Sequence, residues 1–73
     1  MELKHIINLT KEDIIRGCEE DTKRGIYPSV LVCYKGYIDG IEIASEIMHH
    51  FGKTKEESIL YNIADKLKGE LLI

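Results

Sequence analysis

Apolar and polar residues recur along this chain with the spacing of helices. At about 100° per residue, the polar positions of the segment from Pro28 to Phe51 (Lys35, Asp39, Glu42, Glu46, His49 and His50) gather on an arc of roughly 100°. The rest of the circumference, from Ile43 through Ile47, Ala44 and Met48 to Ile38, is apolar over about 220°. An ordinary surface helix needs a stripe of roughly 100°. A face about twice that width must be covered from more than one side. The segment therefore predicts a long central helix over 28–51, and self-association through it.

Shorter amphipathic patterns flank it. Thr10 with Asp13 resembles a capping box, and Ile14, Ile15, Cys18 and Thr22 follow on one arc opposite Glu12, Arg16, Glu19, Glu20, Lys23 and Arg24. Gly25 is a natural stop behind two cations, so the first helix is expected over 10–24. Residues 1–9 are expected to be an extended arm or a single helical turn. Pro28 suits the first turn of the central helix, and Gly52 ends it. A rival reading makes Ser29 to Tyr34 a short buried strand; Lys35, in register with the acidic arc, favours helix. Thr54 and Glu57 form a second capping box, and Ile59, Leu60, Ile63, Ala64, Leu67 and Leu71 line one face of a third helix over 54–71. Leu72 and Ile73 are expected to dock on something. The expected architecture is one all-α domain of three helices spanning residues 1–73.

Within the wide face, Gly36, Gly40 and Ala44 recur at every fourth position, with Cys33 and Ile47 beside them. Each glycine inside a helix costs about 1 kcal/mol relative to alanine, so a row of them implies that something approaches the backbone there. These five residues are the expected homotypic interface. The alternative is a kink or break at Gly36–Gly40 inside a monomeric core. The large residues Val30, Tyr34, Tyr37, Ile38, Ile41 and Met48 suit packing within the chain.

Composition changes this picture little. Seventy-three residues with 44% apolar and 32% charged content make a single globular domain whose core is small. A net charge of -3 gives no general attraction to nucleic acid or anionic membrane, and no apolar run is long enough to span one. With no leader-like pattern at Met1, the expected location is cytoplasmic, with Cys18 and Cys33 reduced.

Candidate chemistry is sparse. Glu42, Glu46, His49 and His50 include a Glu-x-x-His pair of the kind that holds metal in helical bundles, but the motif occurs once and on the polar side. A solvated face is the plainer reading, with no cofactor expected. Lys23, Arg24 and Tyr27 could hold a small anion, and Tyr27 and Tyr61 suit a contact surface. Cys18 reads as a small core hydrophobe, and Cys33 lacks a neighbouring base. Lys35 to Gly40 has not the spacing of a phosphate loop. The function these residues suggest is a small non-enzymatic interaction protein, a homo-oligomeric regulator or inhibitor that binds another protein. Two alternatives are a helix-turn-helix nucleic-acid binder and an oligomer holding a small anionic ligand between subunits; the acidic third helix argues against the first.

Overall fold

A computed structural model describes residues 2–71 as three helices, with no strand among the described residues. They are α1 (Leu3–Lys23), α2 (Val30–His50) and α3 (Thr54–Glu70). Residues 30–34 are not a strand: Ser29 caps α2, its Oγ accepting from the Val32 N–H at 3.3 Å, and Val30 to Tyr34 form the first turns. Pro28 lies just outside the helix and Ser29 takes the capping position. The expected docking of Leu72 and Ile73 falls outside the described residues.

The first helix departs most from expectation. It begins at Leu3, seven residues before Thr10, and residues 3–9 are part of it rather than an arm. Thr10 sits mid-helix, and its Oγ1 donates 2.8 Å back to the Ile6 carbonyl, the local bond a threonine makes when it does not cap. Leu3, Ile7, Ile14 and Cys18 continue one stripe through that position, and Ile7 is buried.

Both interhelix joints are built on glycine. At the end of α1, Gly25 has φ +77°; its N–H donates to the Thr22 carbonyl and the Ile26 N–H to that of Asp21. At the end of α2, Gly52 has φ +71°; its N–H donates to the His49 carbonyl and that of Lys53 to Met48. Each is a Schellman closure, which satisfies the last helical carbonyls and needs a residue free to adopt the left-handed region. The Thr54–Glu57 capping box does not form: Lys53 occupies the cap, Thr54 is the first helical residue, and the Glu57 carboxylate turns to α2.

The core joins all three helices. Ile7, Ile14 and Cys18 of α1, Cys33 and Ile38 of α2, Ile63, Ala64 and Leu67 of α3, and the cap residue Leu71 are buried. Val30, Tyr34 and Ile41 pack partly against this cluster. The α2–α3 contact is the most extensive and the α1–α3 contact the least, so α2 is the element around which the others assemble. Burial of these side chains supplies most of the stability, at about 1.5–3 kcal/mol for each large one before entropy is counted. Polar contacts pin the edges: Ser45, the one buried polar residue among those described, donates to the Glu57 carbonyl at 2.9 Å. Lys68 pairs with Glu42 at 2.9 Å, and Lys11 with Glu70 at 3.1 Å.

Candidate functional site

The side of α2 turned from the core carries an uninterrupted apolar strip. Its intrachain side is made by Cys33, Ile38 and Ser45, with Val30, Tyr34 and Ile41 half-buried. The strip is made by Val32 (48% exposed), Gly36, Gly40, Ile43 (58%) and Ile47 (45%), and runs on to Phe51 (73%) past the helix end. A Cβ built at Gly36 or Gly40 would meet nothing within 4 Å. No described part of the folded chain uses the close approach these glycines permit, and α2 runs through them without a break.

Three elements enclose a groove beside the glycines. Tyr27 from the first joint, Tyr37, Ile41 and Ala44 of α2 and Leu60 of α3 line a space of about 450 Å³ that opens over Gly36 and Gly40. Its walls are tyrosine rings, aliphatic groups and bare helix backbone. Such a surface binds by shape and apolar burial.

Of the five expected interface residues, Gly36, Gly40 and Ile47 are exposed and Ala44 is half-buried in the wall of the groove. Cys33 is a correction. At 1% exposure it belongs to the core beside Cys18, because α1 crosses the first turns of α2 and covers that sector. The closest approach to a glycine is also on that side, at Gly17, where a Cβ would stand 3.3 Å from the Tyr37 hydroxyl oxygen.

Burial pushes the Cys18 thiol up to about 12, helped by its interaction with the neighbouring Cys33 and by the negative charge of Asp21. Cys18 is thus a protonated core thiol at neutral pH, not a nucleophile. Tyr34 and Tyr37 are raised as well, first by burial and then by the neighbouring thiols and acidic groups.

The two polar sets are dispersed. Arg24 is paired with Glu20 at 3.1 Å, Lys23 shares a shallow depression with Arg16, Glu19 and Glu20, and Tyr27 turns into the α2 groove. Tyr61, 61% exposed, lines a separate polar depression with Thr54, Ser58 and Asn62. The four residues therefore do not surround a common site. On the polar side of α2, Glu42 is engaged by Lys68, and Nδ1 of His49 lies 3.1 Å from Oε1 of Glu57. The hydrogen bond to Glu42 raises the Lys68 ammonium above its ordinary value. His50 stacks edge-on to His49 with ring centroids 5.8 Å apart, and Glu46 is exposed. No group of three or more His, Cys, Asp or Glu side chains converges on a metal position among the described residues.

Sequence reasoning missed Val32, Phe51 and Leu60 as members of this surface. The available signal was the spacing of Val32, Gly36, Gly40, Ile43 and Ile47, which is itself helical. No described helix is long and apolar enough to cross a membrane. Comparisons with protein-family models, curated proteins and solved structures find no match to this chain.

Proposed function

We propose that this chain is a non-catalytic interaction module, a small helical protein that self-associates through the outer face of α2 and in that form binds another protein as a regulator or inhibitor. The supporting observation is the uncovered strip of Val32, Ile43, Ile47 and Phe51 flanking two glycines against which no described part of the chain packs. Monomeric proteins rarely leave contiguous apolar surface of this kind uncovered without a binding role. The adjoining groove with its two tyrosines has the composition of interface cores, where tyrosine is enriched and charge is scarce. Nucleic acid is a poorer candidate, since the outer surface of α3 mixes Glu56, Asp65 and Glu70 with Lys55 and Lys66.

Sedimentation velocity and native mass spectrometry of the parent protein and of Gly40→Leu test this reading. The parent is expected above the 8.4 kDa monomer mass and Gly40→Leu at it, with unchanged helical circular dichroism. A parent that stays monomeric at millimolar concentration, and whose Gly40→Leu form retains every protein partner recovered with the parent, would overturn it.

A further inference from the structure

Resting on the self-association just proposed, we infer that the partner on the α2 strip is a second copy running antiparallel, its two-fold axis passing beside the peptide that joins Ile41 to Glu42. The inference comes from where large and absent side chains fall. Gly40 and Ile43 lie at equal distances on either side of that peptide; so do Gly36 and Ile47, and so do Val32 and Phe51. A two-fold axis there sets each exposed isoleucine of one copy over an exposed glycine of the other, and Val32 against Phe51 at both ends. Ile43 is 58% and Ile47 45% exposed, and neither glycine has a neighbour that would obstruct an entering side chain. An axis at Gly40 or at Ile43 would instead set glycine against glycine or isoleucine against isoleucine.

Charge fits the same axis. Antiparallel two-fold pairing brings each flank of a helix beside the same flank of its copy. Lys35, Asp39, Glu46 and His50 share one flank. In this register Lys35 stands about 3 Å along the axis from the second copy's Glu46, within reach of an ion pair made twice. Lys35 and Glu46 are exposed and take part in no other ion pair among the described residues. From their exposures, the strip residues and Tyr37 offer roughly 500 Å² per copy, so that pairing buries roughly 1,000 Å² in all, at the lower edge of specific interfaces.

A zero-length carbodiimide cross-link tests the register directly. Along one straight helix Lys35 and Glu46 are held about 16 Å apart, so an amide bond between them can form only between two copies. Expected are a covalent dimer containing a Lys35–Glu46 linked peptide, its loss in Lys35→Glu, and its return, with amine and carboxylate exchanged between the two positions, when Glu46→Lys is added to that variant. Gly40→Ile should yield no dimer while keeping its helical circular dichroism, since its Cβ enters open space. A dimer whose cross-links join only other positions overturns the antiparallel register and leaves self-association standing. A species of 8.4 kDa throughout overturns the register and self-association together.

Discussion

Gly17 matters more to packing within the chain than either glycine of the α2 strip. A side chain there meets the Tyr37 hydroxyl, whereas one at Gly36 meets nothing. Gly36→Ala is therefore expected to raise stability by about 0.5–1 kcal/mol, the helix-propensity difference, and Gly17→Leu to lower it by about 1–3 kcal/mol through overpacking. Thermal melts of dilute protein followed by circular dichroism check both, since 1 kcal/mol moves Tm by roughly 4–8 °C in a domain of this size. At Cys18 the folded state holds the thiol at about 12 against an ordinary 9.0, so folding favours the neutral form. The resulting stability is complete below pH 9 and is lost as pH rises toward about 12. Tyr34 and Tyr37, raised above 10.0, act in the same direction. The urea midpoint should fall as pH rises from about 8 to about 11, less steeply in Cys18→Ala, and an unchanged slope in that variant would remove Cys18 from the account.

At the scale of elements, stops were easier to read than starts. Gly25 and Gly52 end their helices because only a residue without a Cβ takes a positive φ cheaply, a requirement local to a few residues. Starts are ambiguous because threonine and serine serve two purposes. Ser29 caps; Thr10 bonds back to the preceding turn, and which occurs depends on whether the residues before it have a reason to be helical. For α1 that reason is Ile7, buried in a core formed with the other two helices. The two roles predict opposite outcomes. Thr10→Ala should raise the melting temperature slightly, by a few tenths of a kcal/mol, because alanine is the better residue mid-helix. Ser29→Ala should cost about 1 kcal/mol through loss of a cap. A loss of that size at Thr10 would return the start of α1 to that residue. The Glu57 carboxylate shows the same ambiguity at α3, where it meets His49 across the joint instead of its own helix end. Exposed pairs of that kind contribute little, so His49→Ala should change stability by less than about 0.5 kcal/mol.

Across the whole molecule, a core this small leaves stability vulnerable to single truncations. Leu67 is fully buried where α3 meets the core, and Leu67→Ala should cost about 2–5 kcal/mol, a large share of what a domain of this size holds. If copies associate, Tm of the parent should rise with protein concentration while that of Gly40→Leu does not, since association adds stability only to the form that binds. The helical class, the number of helices and their stops follow from the sequence by itself, because helix periodicity, caps and glycine breaks act over a few residues. Of the large side chains on α2 expected to pack within the chain, Ile38 is buried and Val30, Tyr34, Ile41 and Met48 half-buried, for the same reason, whereas Tyr37 is 44% exposed at the groove. Tertiary structure alone decided which neighbours covered the remainder. It took Cys33 into the core, set Gly17 against Tyr37, and left Gly36, Gly40, Ile43 and Ile47 uncovered. That outcome depends on where two helix axes pass across a third, which no stretch of local sequence encodes.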